Sequence, residues 1–256
     1  MRYFCEISCT ISLIFEGKRV DFLAQSSLDG SAHERLLRAL AEQLKLPLLQ
    51  IAREAEFAAT ADDVTALKSI SYTADMALRL VDSYLLSVQL QSLPTLDLEP
   101  VSVSAMLQDT AHRLNAFAKQ YECDVEVHLS GKYEPVMGHA QSLEAAYATL
   151  GYAFIEATPA KEKHKIVLGA HRSRSGLVAG IFGDHEGLNV DVYRRGQALF
   201  GTARQPLPGL SASAGAGIFV ADSLLKNMET SLKVSRHNNL SGLAASLLPS
   251  HQLALV

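Results

Sequence analysis

Three features of the sequence predict an α+β fold. Short alternating apolar segments open the chain, two long heptad-spaced helices follow, and helices and strands then interleave to the end. The expected order is an N-terminal β-hairpin, a coiled-coil-like helical hairpin, and an α/β sandwich whose mixed sheet carries its helices on one face. The corresponding boundaries are 1–30 for the β-hairpin and linker, 31–94 for the helical hairpin and 95–256 for the sandwich.

The first element is read from Ile7, Cys9, Ile11, Leu13 and Phe15, which alternate with polar residues. After "EGKR" the stretch "VDFLAQ" alternates again, so residues 3–25 form a hairpin with its turn around Gly17. "SSLDGSA" (26–32) is a linker with helix-start residues. A helix is expected over 32–59, with Leu37, Leu40, Leu44, Pro47, Ile51 and Ala55 at steps of three and four. Pro47 inside it removes a backbone hydrogen bond, at about 3 kcal/mol. Asp62 or Asp63 caps a second helix over 63–92, where Leu67, Ile70, Ala74, Ala77, Val81, Tyr84 and Val88 keep a strict heptad spacing. Two such seams need a partner. A second copy of the chain supplies it in one reading, and an intramolecular bundle in the other.

A proline-containing connection (92–103) leads to a helix near 104–120 and a strand at 123–131. A helix at 139–157 and strands at 165–171 and 177–183 follow. "LPGLSASAGAG" (207–217) reads as a loop opening a helix at 218–228, before strands at 231–237 and 242–249.

Composition narrows the function. Hydrophobic residues make up 48% and charged residues 20% of the 256, enough for a sizeable core. The net charge of −4 and the absence of a Lys/Arg block argue against nucleic-acid and membrane-surface partners. Cys5, Cys9 and Cys123 are odd in number and lack zinc spacing, which fits a reduced, cytoplasmic setting. "MRYFCEISCTISLIF" is too short to span a bilayer, is interrupted by Glu6, and lacks a signal peptide's basic start and cleavage site. No G-x-S-x-G elbow, H-E-x-x-H pair or P-loop is present.

The order of helical hairpin, early proline and glycine-rich α/β domain resembles a sensor histidine kinase core, a dimerisation and phosphotransfer hairpin followed by a GHKL-type ATP-binding domain. "AEQLKLPLLQI" (41–51) is similar to the phosphoacceptor box, with Leu44, Lys45, Leu46, Pro47 and Leu48 in register with its Leu-Arg-Thr-Pro-Leu run. "LVDSYLLSVQLQSLPTLDLEPVSVSAML" (80–107) is similar to the second hairpin helix and its exit. "VMGHAQSLEAAYATLGYAFIEATP" (136–159) resembles the family's N-box helix, and the stretch from "SASAGAGIF" (211–219) onward its G2 box. The resemblance implies a homodimer through helices 32–59 and 63–92, a response regulator or kinase as partner, and ATP or ADP as cofactor.

Matched residue by residue, the same resemblance places unexpected side chains at the reactive positions. Glu42 stands where the family has its phosphoacceptor histidine. A carboxylate is anionic, is repelled by phosphates, and gives a labile acyl phosphate where a neutral imidazole attacks readily. Thr149 and Ala153 occupy the positions of two asparagines, the second being the family's Mg²⁺ ligand. Magnesium requires oxygen ligands, so no metal is expected here. Glu156 replaces a phosphate-facing lysine. In "FGDHEGLNV" (182–190), aligning Gly187 with the second glycine of Asp-x-Gly-x-Gly puts Gly183 at the adenine-anchoring aspartate and leaves Asp184 one residue late. Gly215 and Gly217 keep the G2 glycines, which let backbone N–H groups approach phosphates. Arg194, Arg195 and Arg204, in "YRRGQALFGTARQPLPG" (193–209), are candidate lid cations.

These departures favour a degenerate histidine kinase-like protein that scaffolds or regulates a phosphorelay without phosphorylating itself. Two alternatives remain. One is a divergent ATP-binding kinase in which Asp184, Glu156 and the arginines replace the missing ligands. The other is a nucleotide-free phosphotransferase, for which His33, fourteen residues before Pro47, is the sole hairpin histidine.

Overall fold

The structure is a computed structural model that describes residues 34–38, 40–41, 44–45, 47–56, 58, 64–93, 95–157, 164–174, 176–185, 188–200, 207 and 214–250. The expected β-hairpin at 3–25, the capping pair Asp62 and Asp63, and His33, Glu42, Gly187 and Arg204 lie outside these residues.

The described residues of 34–58 are helical (α1), and the helix continues on both sides of Pro47, which is buried. Leu36 and Leu40 enter the main core, with Leu44 packed against it. The second helix, α2 (Val64–Gln91), buries Thr73, Met76, Ala77, Leu80, Ser83, Tyr84, Ser87 and Leu90, a stripe at steps of three and four. Ser69 Oγ of α2 donates to Glu54 Oε1 of α1 at 2.8 Å. The expected seam is offset from this stripe. Of its seven members only Ala77 and Tyr84 are buried within the chain, and Leu67 is exposed.

The rest of the chain forms the sandwich. β1 (Glu99–Val101) and β3 (Val136–Gly138) pair as a small antiparallel ladder. The main sheet contains β2 (Cys123–Leu129), β4 (His164–Ser173), β5 (Gly176–Gly183), β6 (Lys233–His237) and β7 (Leu240–Leu247), ordered β2-β4-β5-β7-β6. The β2–β4 pair is parallel and the other pairs are antiparallel, so the sheet is mixed. Helices α3 (Val103–Ala118), α4 (Ala140–Glu156) and α6 (Ala214–Lys226) supply the second layer.

Local chemistry sets the helix starts. Ser102 Oγ accepts from Ala105 N to cap α3, and the His139 imidazole accepts from Ser142 N to cap α4. The inward set of the sheet, including Ile166, Leu168, Ala179, Ile181, Leu243 and Ala245, is fully or almost fully buried against the helices. Tyr147 of α4 fixes the two layers together by donating its hydroxyl to Ala179 O at 2.9 Å. The outward set is thinner, with Val167, Phe182 and Ala244 forming a separate small cluster.

The structure corrects three element boundaries. Residues 190–199, expected within a loop, form helix α5 (Val190–Leu199), capped by Asn189 Oδ1, which accepts from Val192 N at 3.0 Å. Helix α6 begins at Ala214 and not at 218, because the small residues of "AGAG" bring its first turn into the core. The short strands β1 and β3 had no alternating signal to announce them.

Gly242 marks the tightest approach of β7 to β5. A Cβ added there would lie 2.1 Å from Ile181 O and 2.7 Å from Phe182 Cα, both rigid backbone atoms. Gly242→Ala is expected to destabilise the protein by roughly 3 kcal/mol, at the upper end for overpacking, measured by urea unfolding. A loss below about 0.5 kcal/mol would contradict this account of the strand spacing.

Candidate functional site

The candidate site lies where α4, the C-terminal end of β5 and the start of α6 converge. Helix α4 supplies Thr149, Ala153 and Glu156. Ala153 is 1% exposed and offers no oxygen. Thr149 is also buried, and its Oγ1 donates to Ser83 Oγ of α2 at 3.0 Å. Ser83 Oγ donates onward to Arg79 O at 2.7 Å, so the Thr149 hydroxyl is committed to a relay into α2. Glu156 is half-buried at the last turn of α4, beside Tyr121. Burial first, then Glu156 and Glu54, push the Tyr121 hydroxyl up to about 12.

At the end of β5, Asp184 is exposed and Gly183 is buried. The side chain that turns inward is that of His185. Its ring meets Phe154 edge-on, with centroids 4.9 Å apart, and its Nε2 lies 2.9 Å from the point a Gly183 Cβ would occupy. His185 Nε2 is buried without a hydrogen-bond partner. The imidazole therefore takes the space into which a side chain at position 183 would project. Burial, then the neighbouring His164, lower its pKa to about 4, with Asp184 acting in the opposite direction.

Gly215 and Gly217 are buried in the first turn of α6. Arg194 and Arg195 are exposed on α5. Helix α2 is held across α4 and α6 by hydroxyl contacts. Besides Thr149–Ser83, Ser87 Oγ and Ser223 Oγ share a hydrogen bond of 2.7 Å, and Gln91 Nε2 donates to Ser223 Oγ at 3.3 Å. Two cavities border this layer. One of about 360 Å³ lies between α2, α3 and α4, lined by Arg79, Asp82, Arg113, Glu144 and Tyr152 among others. Another of about 230 Å³ lies between α1, α2, α5 and α6, beside Arg35, Gln197, Phe200 and Phe219. Neither is lined by Ala153, Asp184, Gly215 or Gly217.

Sequence reasoning missed Asp222, which is 2% exposed on α6. Its Oδ1 accepts from Leu232 N at 2.8 Å, and its Oδ2 pairs with Lys226 Nζ at 2.7 Å and accepts from Gln197 Nε2 at 3.3 Å. It ties α5, α6 and the approach to β6 together. A charge inside the apolar run "IFVADSLL" (218–225) was the available signal.

The described residues do not fit magnesium-bound nucleotide as the resemblance implies it. Position 153 has no ligand oxygen, the inward position at 183 has no carboxylate, and His185 fills the space beside it. Among the described residues, no group of three or more His, Cys, Asp and Glu is placed to hold a metal ion. No described helix is long and apolar enough to cross a membrane.

No protein-family model and no curated protein sequence matches the chain. Solved structures do match its fold. The Acinetobacter baumannii histidine kinase AdeS superposes with a TM-score of 0.53 at 13% identity, covering 81% of this chain and 97% of AdeS. Full-length ShkA in complex with AMPPNP gives 0.52 at 16% identity, covering 73% of this chain and 39% of ShkA. Histidine kinase ThkA in complex with the response regulator TrrA gives 0.52 at 12% identity, covering 91% and 63%. The chain therefore has the fold of a histidine kinase catalytic core, with a mixed GHKL-like sheet under a helical layer.

The buried His185 predicts a pH dependence. Its folded-state pKa lies below the ordinary 6.5, so the unfolded chain takes up the proton first, and stability falls as pH drops from about 6.5 towards 4. Urea unfolding at pH 7 and pH 4 is expected to show the wild type losing about 3 kcal/mol more than His185→Leu. Equal losses would mean that the imidazole is solvated.

Proposed function

We propose that this protein is a degenerate histidine kinase-like scaffold or regulator in two-component or phosphorelay signalling. In this reading it does not phosphorylate itself, and it binds a response regulator or a kinase through helices 32–59 and 63–92. The observation that carries the proposal is the state of α4, whose face at 149 and 153 is taken up by packing and by the hydrogen bond to Ser83. Phosphoryl transfer needs a metal ion bridging phosphate oxygens and a nucleophile in line. Alanine at 153 and glutamate at 42 supply neither in the positions the resemblance assigns.

The partner class rests on likeness in fold to ThkA, whose structure contains a response regulator. The dimer is supported by apolar side chains left on the outside of the helical pair. Leu37, Leu48 and Leu49 of α1, and Leu67, Leu78 and Leu85 of α2, are each between 48% and 64% exposed. In α2 these leucines are separated by eleven and seven residues, sums of three- and four-residue steps, beside the stripe already buried in the chain.

Three experiments separate the readings. ATP or ADP at millimolar concentration, with or without Mg²⁺, is expected to leave the melting temperature unchanged. Binding at a thousandth of the ligand concentration would add about 4 kcal/mol and show plainly. Incorporation of labelled γ-phosphate would overturn the scaffold reading, and its loss in His33→Ala would select the phosphotransferase. Light scattering is expected to give a dimer mass for the wild type and a monomer for Leu78→Glu/Leu85→Glu. A concentration-independent monomer for the wild type would remove the dimer from the proposal.

A further inference from the structure

Three histidines from three strands meet on the open face of the sheet, away from the helical layer. The registers place Glu126 and His128 of β2, Val167, Gly169 and His171 of β4, and Phe182 of β5 on that face. The β6–β7 hairpin turns across it. Asn238 and Asn239, with φ of 46° and 67°, form its two-residue turn. The coil of the hairpin brings the His237 ring to 3.1 Å from the point a Gly169 Cβ would occupy. That ring stacks on Phe182 at 5.1 Å between centroids, and lies 5.8 Å from His171 and 5.9 Å from His128. Asn238 Nδ2 and His128 Nδ1 are 3.5 Å apart, so the hairpin from one edge of the sheet reaches the strand at the other.

His237 is 6% exposed, and its Nε2 has no hydrogen-bond partner. His171 Nδ1 is likewise buried without one. The charges around the cluster come from each neighbouring strand. Glu126 Oε2 contacts both His128 Nε2 at 2.9 Å and Lys165 Nζ at 2.6 Å, so its charge is shared, and Asp124 is exposed at the start of β2. Neither β5 nor β7 adds a titratable group to this face; they present Val178, Phe182 and Leu240. β6 carries Lys233 and Arg236, and the adjacent α5 carries Asp191, Arg194 and Arg195, all exposed. Metal binding does not account for the cluster, because no set of three such residues among those described is placed to hold an ion. Protonation is the chemistry left to it. Two protons on these rings place like charges within 6 Å over an apolar floor.

We propose that β6, with its Asn238–Asn239 turn, is a proton-operated latch, closed over the sheet while the His237 imidazole is neutral and released by mild acidification. The proposal stands on the sheet geometry and is independent of the signalling reading above. The sign agrees with the surroundings of His237, whose pKa is lowered by burial, then by His171 and His128, so proton uptake favours the released form.

The His237 imidazole, held neutral in the closed form and free to titrate near 6.5 in the open one, favours opening about tenfold between pH 7.5 and pH 5.5. The test is hydrogen–deuterium exchange of the full chain at those two pH values, corrected for the intrinsic rate. Amides of residues 233–239 are expected to lose at least tenfold in protection while those of β7 and α4 keep theirs. His237→Phe keeps a ring on Phe182 and cannot titrate, so it should hold its protection at pH 5.5. His237→Leu provides the same control should the phenylalanine not be accommodated. The latch is overturned if wild type and both variants lose protection equally, if the wild type loses none, or if micromolar Zn²⁺ raises protection at pH 7.5.

Discussion

Helix α4 is enclosed on every side, and the rest of the molecule is arranged around that constraint. Ten of its seventeen residues are buried. The sheet lies beneath it, α3 and α6 flank it, and α2 crosses it. Leu114 of α3 comes so close that a Cβ at position 151 would stand 2.3 Å from one of its methyl carbons, and a larger residue there would require the leucine to shift. A helix surrounded in this way is apolar almost all round. Its few polar groups must find partners inside the protein, as Thr149 does with Ser83 and Tyr147 with Ala179 O.

That enclosure is a property of the fold and not of any particular chemistry. The layers of such a core depend on which residues are apolar, and the fold is shared with solved kinases at 12–16% identity. Metal and phosphate chemistry depends on a few oxygens at fixed positions, which packing neither requires nor preserves. Ala153 is buried in the packed part of the helix, and the imidazole of His185 lies against Phe154 in the space beside Gly183.

Much of the fold was legible in the sequence because it rests on local periodicity. The strands expected at 123–131, 165–171 and 177–183 and the second long helix fall close to their observed places, 123–129, 164–173, 176–183 and 64–91. Helix α5 was not legible, since a short polar segment with two arginines and a glycine reads as a loop. Heptad spacing in α2 fixes a period and not which neighbouring stripe faces the chain's own core, so the stripe buried within the chain was not legible. At the site, the residue types at 149, 153 and 183 were readable. The inward turn of His185 was not, as it depends on the empty side-chain position at Gly183. Least legible was the meeting of His128, His171 and His237, which requires knowing the strand order and the coil of the last hairpin.

The strand order also bears on how the sheet is assembled in time. β4–β5 and β6–β7 are each joined by short turns, whereas the β5–β7 pair that unites them closes a loop holding α5, α6 and β6. Loop-closure entropy opposes that pairing until both hairpins exist to reward it. The junction where Gly242 passes closest to Ile181 O thus belongs to the late part of folding. Crowding introduced there acts after the transition state has formed, and registers as a shorter lifetime of the native protein more than as a slower approach to it.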